Sequence, residues 1–82
     1  MKKIGTVAHY YGNIGVAVVE LSGKLSVGDK IKFGDGKNEF EQTVESMQIE
    51  HKEISSAKKG DAIGLKVDEK VNEGTDVYLV EE

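Results

Sequence analysis

The 82-residue sequence contains no cysteine, no proline, no tryptophan and no arginine. Without cysteine there is neither a disulfide framework nor a four-cysteine zinc site. Without proline there is no polyproline linker. The lack of arginine means that all eleven basic residues are lysine. The bidentate guanidinium fork that reads guanine or grips phosphate is therefore missing throughout, which argues against specific nucleic-acid readout. No apolar run approaches the ~20 residues that a membrane-spanning helix needs. Met1-Lys2-Lys3 leads straight to Ile4-Gly5 with no apolar stretch of signal-peptide length, so a cytoplasmic location is the default expectation. A chain of this size removes only about 60–65% of its unfolded surface from water, so residues 1–82 are expected to form one domain with a thin core. That leaves no length for a cofactor-binding domain.

Valine and isoleucine number sixteen, against four leucines and four alanines, and ten glycines are spread along the chain. This composition favours strands joined by turns over helices. Plentiful lysine and glutamate without cysteine also fit a thermophilic source.

The chain reads as a succession of strand and turn signals. Ile4 to Tyr10 alternates loosely and ends at the turn Tyr11-Gly12-Asn13, and the apolar run Ile14 to Leu21 follows. In that run Ala17, Val19 and Leu21 share one face while Val16, Val18 and Glu20 share the other. Both faces carry aliphatic side chains, so the second is expected to meet a partner. Lys30-Ile31-Lys32-Phe33 alternates with Ile31 and Phe33 inward. Gly34-Asp35-Gly36 is the strongest hairpin signal in the sequence. Ile63, Leu65 and Val67 point one way, and Val77 to Val80 makes a short last strand before an acidic tail.

Residues 39–56 give a divided answer. Phe40, Val44, Met47, His51 and Ile54 recur at alternating four- and three-residue spacing, which is an amphipathic helix pattern. A strand reading puts Phe40 and Val44 on one parity and Met47 and Ile49 on the other, and needs a β-bulge near Glu45-Ser46. Periodicity alone leans to the helix.

One local pattern appears three times: Leu25-Ser26-Val27-Gly28-Asp29-Lys30-Ile31, Ala57-Lys58-Lys59-Gly60-Asp61-Ala62-Ile63 and Val71-Asn72-Glu73-Gly74-Thr75-Asp76-Val77. In each, an apolar residue plugs the core, the chain reverses at a glycine free to take positive φ, and a strand begins. The side chain of Asp29, Asp61 or Thr75 can bond a backbone N–H of the turn. A phosphate-cradling loop is the alternative, but no G-x-x-x-x-G-K-[ST] motif is present.

These turns, together with Val44-Glu45-Ser46-Met47 and the run Ile54 to Leu65, resemble the second, β-barrel domain of translational GTPases such as elongation factor Tu. The resemblance extends from about Ile4 to Val80. It implies an all-β fold, a small closed Greek-key-type barrel of six to seven strands, and it makes the segment around Val44 to Glu50 a strand. It does not carry GTP hydrolysis across, because the GTP-binding motifs are missing. The turn His9-Tyr10-Tyr11-Gly12 departs from the elongation-factor pattern. It is closer to the similar barrel at the C-terminus of collagenase-like peptidases, where the role is accessory.

Three groups of residues are candidates for function. His9, Tyr10 and Tyr11, with Val16 and Val18, could anchor a protein partner or stack on bases; the plainer account is that one tyrosine packs over the barrel end. Lys24, Lys30, Lys32 and Lys37 could follow an RNA backbone, although Asp29, Asp35 and Glu39 lie among them and a mixed, solvated face explains them as well. Two histidines, His9 and His51, are too few for a defined zinc site, and no Ser-His-Asp or Cys-His arrangement is visible. The expectation is a non-catalytic binding module without nucleotide, metal or cofactor. Its partner would be a protein or ribonucleoprotein, in translation, with direct tRNA or rRNA binding as the alternative. A subunit accessory to a peptidase or an RNA-modifying enzyme is the lesser alternative.

Overall fold

The computed structural model describes residues 2–34 and 39–80, and every regular element in it is a strand. In chain order these are β1 (Lys2–Tyr11), β2 (Val16–Leu21), β3 (Leu25–Ser26), β4 (Lys30–Phe33), β5 (Phe40–Thr43), β6 (Met47–Ile49), β7 (Lys52–Ile54), β8 (Ser56–Ala57), β9 (Ala62–Lys66) and β10 (Asp76–Leu79). Eight of them form one antiparallel sheet in the order β5-β4-β10-β1-β2-β9-β6-β7, and β3 and β8 make a separate pair. The all-β, small-barrel expectation holds, with more and shorter strands than the six or seven foreseen. The hairpin expected at Asp35-Gly36, and Lys37 beside it, lie outside the described residues.

The sheet curls because strands twist, and the curl encloses the apolar face of each strand. Ile4, Val7, Val19, Ile31, Phe33, Met47, Ile63 and Val77 are all at most 1% exposed. Phe33 stacks on Phe40, with ring centroids 5.0 Å apart. Among the described residues no backbone ladder joins β5 to β7, the two ends of the sheet. A side chain bridges the gap left on the β5 side. Gln42 on β5 donates from Nε2 to the carbonyl of Lys66 at 2.7 Å, and its Oε1 accepts from the Asp68 N–H at 2.9 Å. This buried amide ties β5 to the end of β9, and losing it would leave two backbone groups unpaired.

The three repeated turns adopt one geometry. Gly28, Gly60 and Gly74 have φ of 97°, 94° and 86°. The residue after each donates its N–H back across the turn, Asp29 to Ser26, Asp61 to Lys58 and Thr75 to Asn72. This is a type II turn with glycine at the position that requires positive φ. Oδ2 of Asp29 accepts from the Ser26 N–H at 2.9 Å, and Oδ2 of Asp61 accepts from the Lys58 N–H at 3.1 Å, as the pattern implied. The plug residues Leu25, Ala57 and Val71 are buried. Leu25 and Ala57 pair across β3 and β8, which brings the first two turns together.

Residues 40–54 form the three short strands β5, β6 and β7, not a helix. Val44 and Met47 are both buried, which the parity of a single strand cannot give. The conflict is resolved where the bulge was expected, by a break over Val44–Ser46 between β5 and β6. Val44 leaves the sheet there to exchange bonds with the first glycine turn, through its N–H to Asp29 and its carbonyl to Gly28.

Candidate functional site

Residues opposite one another in an antiparallel pair share a face. On the core side β2 places Ala17, Val19 and Leu21, all buried, and on the outer side Val16, Val18 and Glu20. The same registers define three outer rows. Thr6, Glu20 and Ala62 form the first; His9, Val18, Gly64, Gln48 and Glu53 the second; Tyr11, Val16 and Lys66 the third.

A single irregularity puts the aromatic end of this surface in place. The β1–β2 register slips between Val7 and His9, so Ala8 is unpaired. Val7 is buried, and without the slip His9 and Tyr11 would follow it into the core. With it, Tyr10 packs against the core and His9 and Tyr11 stand outside. The histidine–tyrosine cluster read from the sequence is therefore divided. The His9 ring meets Tyr11 edge-on at 4.4 Å, and His9 Nδ1 lies 2.9 Å from Glu73 Oε2, so the imidazole braces the tyrosine ring.

Between these rows runs an open groove of about 540 Å³. Val16, Val18 and Gly64 lie along its floor, Tyr11 and Ile14 at one end, and Ala62 at the other. Tyr11 is 45% and Ile14 62% exposed, so the groove is apolar in a place where burial gives no reason for it. Gly64 makes the depth. A Cβ built there would sit 3.6 Å from Val16 Cγ1 and 3.9 Å from the Gln48 carbonyl, so the fold itself would accept a side chain at this position.

The opposite wall is Gln48 and the β6–β7 turn, Glu50-His51. Ile49 pairs with Lys52, so this is a two-residue hairpin turn, and both central residues have positive φ, 51° and 67°. Such a turn favours Asn-Gly, and the left-handed conformation costs a non-glycine residue roughly 1–2 kcal/mol. The strain places a carboxylate and an imidazole on the groove, a pattern that recurs at functional positions.

The lysines lie elsewhere. Lys30 pairs with Glu41 of β5 at 3.3 Å, and Lys32 pairs with Glu39, the residue before β5, at 2.8 Å. Lys24 borders a separate shallow hollow beside Ser56, Ala57, Lys58 and Asp61. These three are not drawn into one strip, and none lines the groove. Among the described residues no group of three or more His, Asp or Glu is placed to hold a metal ion, and no helix is long and apolar enough to cross a membrane.

Of the partner-binding candidates read from the sequence, Tyr11, Val16 and Val18 line the groove and His9 and Tyr10 do not, whereas Ile14, Gln48, Glu50, His51, Ala62 and Gly64 line it without having been singled out for that role. A glycine inside a strand was the available signal, because it marks a place where something approaches closely.

Fold and groove together define a small β-barrel domain with an apolar trough on its outer face. No protein-family model matches the chain. It is 42% identical over 81 residues to a protein of Methanocaldococcus jannaschii named as an uncharacterized protease, an alignment covering 98% of this chain and 20% of that protein. The chain therefore spans about a fifth of the curated relative that it matches. The crystal structure of the C-terminal domain of a Geobacillus thermoleovorans putative U32 peptidase superposes with a TM-score of 0.90 at 22% identity, covering 98% of this chain and 93% of that one. Its selenomethionine variant gives 0.89 at 21%, covering 95% and 99%. At these identities the two structures establish the fold. The matches lie on the collagenase-like side of the resemblance read from the sequence, and they give the translation reading no support.

Proposed function

We propose that the chain is a non-catalytic accessory module of a peptidase-type protein and that its outer groove holds polypeptide. The observation that carries this reading is the coverage of the M. jannaschii relative: nearly all of this chain matches one fifth of a protein named as a protease, leaving four fifths for other work. The groove supports it. An apolar floor with polar groups at one wall is the make-up of a binding surface, and nothing in the packing of the barrel requires it.

The test is a graft. The matching fifth of the M. jannaschii protein is deleted, or replaced by this chain, and cleavage of casein is followed. Removing a tethered binding module forfeits effective concentration, so deletion should raise KM roughly tenfold or more with little change in kcat, and the graft should restore it. Cleavage by the isolated chain, or full activity after deletion, would contradict the reading.

A further inference from the structure

The charges around the groove specify what it would hold. Four glutamates surround it: Glu50 lines it, Glu20 pairs with Ala62 at one end, Glu53 stands beyond Gln48, and Glu73 is bonded to His9. Among the described residues Glu20, Glu50 and Glu53 have no ion-pair partner, whereas Glu39 and Glu41 on β5's side of the barrel each hold a lysine. Lys66, opposite Val16, is the one lysine among the outer-row residues named above; of the two histidines here, His9 is held by Glu73 and His51 stands beside Glu50 on the groove wall. An apolar floor whose rim carries three glutamates without an ion-pair partner, Glu20, Glu50 and Glu53, against one lysine repels phosphate and favours a cationic, partly apolar occupant.

Shape narrows it further. From the Glu20 row to the Val16 row the groove follows β2 for a length that matches about four residues of extended chain. Gln48 faces outward beside Gly64, and its side chain, which has no hydrogen-bond partner among the described residues, offers both a donor and an acceptor to a passing peptide unit.

We infer that the groove takes an extended basic peptide segment, with a branched aliphatic side chain seated over Gly64 and flanking lysine or arginine side chains reaching the glutamates. This rests on the polypeptide-holding reading above and adds the chemistry of the segment.

The test uses the isolated chain and three fluorescein-labelled hexapeptides, alternating Lys-Val, Glu-Val and Lys-Ser, with binding read by fluorescence anisotropy at low and physiological salt. Lys-Val should bind at least about tenfold more tightly than either control, since it alone supplies both the apolar contact and the charge. Its affinity should fall as salt is raised. Gly64→Val should abolish binding and Gly64→Ala weaken it, each with a thermal melt like the parent's. The double variant E50Q/E53Q should lose several-fold in affinity and much of the salt dependence. Equal binding of Lys-Ser would reduce the site to charge alone and overturn the inference, as would equal binding of Glu-Val, or undiminished binding by a folded Gly64→Val chain. A graft that restores KM while none of the peptides binds would overturn the inference and leave the accessory reading standing. Selective Lys-Val binding with no effect of deletion on KM would do the reverse.

Discussion

Ile63 and Gly64 are neighbours on β9 and face opposite ways. Ile63 is fully buried in the core that Ile4, Val19 and Phe33 share, and Gly64 lies on the floor of the outer groove. The inner face is chosen by packing, since each apolar side chain there is removed from water and touches others. The outer face is not. Val16 and Val18 are only half covered, Ile14 is exposed, and the strand gives up a side chain at Gly64 that the surrounding structure would accommodate. The two faces of one strand thus separate residues that hold the fold from residues that the fold presents.

Substitutions on the two faces should part accordingly. Ile63→Ala removes a fully buried branched side chain and should cost about 2–5 kcal/mol, a large share of the stability of so small a domain. Thermal circular dichroism should show the melting temperature falling by roughly 10 °C or more. A melt like the parent's would mean that the inner face is not the stabilising one.

Next in size is Gly5→Ala. A Cβ at Gly5 would lie 2.8 Å from the Glu20 carbonyl and 2.8 Å from Val19 Cγ1, so β1 and β2 must separate to admit it. The expected loss is about 1–3 kcal/mol, read by urea denaturation. Gly64→Ala, by contrast, should stay within about 0.5 kcal/mol of the parent in the same assay, because its new methyl makes only ordinary contacts. Equal losses at the two glycines would erase the distinction between the faces.

The β6–β7 turn should move the other way. Replacing Glu50-His51 with Asn-Gly relieves two left-handed non-glycine residues and should raise stability by about 1–2 kcal/mol, seen as a higher urea midpoint with unchanged slope. The same change takes the carboxylate and imidazole from the groove, so binding of the Lys-Val peptide should weaken as stability rises. Opposite signs in the two measurements are what a position kept for binding produces.

Much of the inner face could be read directly. The alternation of Ala17, Val19 and Leu21 and of Ile31 and Phe33, and the three positive-φ glycine turns, are local patterns that the structure keeps, although only Asp29 and Asp61, and not Thr75, add the side-chain bond within the turn. The outer site was half legible, because two of its determinants are not local. Strand alternation divides three adjacent residues that look like one cluster, and the slip at Ala8 reverses the parity of β1, so that Tyr10 turns inward and His9 and Tyr11 outward. The β6–β7 hairpin carries none of the residues that announce a tight turn, and the spacing of Phe40, Val44, Met47, His51 and Ile54 instead imitates a helix. Gln42 shows the same limit on the inside. It is a polar residue in a core position, and its role appears only when Lys66 and Asp68 are brought beside it.

The most direct measurement is a map of where the peptide binds. The Lys-Val hexapeptide is titrated into the ¹⁵N-labelled chain and amide chemical shifts are followed. The shifts should centre on Val18, Gln48 and Gly64 and reach Tyr11 and Glu50, leaving Lys24, Lys30 and Lys32 unmoved. Shifts centred on those lysines, or spread without a centre, would contradict the claim that the outer face of β2, β6 and β9 is the working surface of this domain.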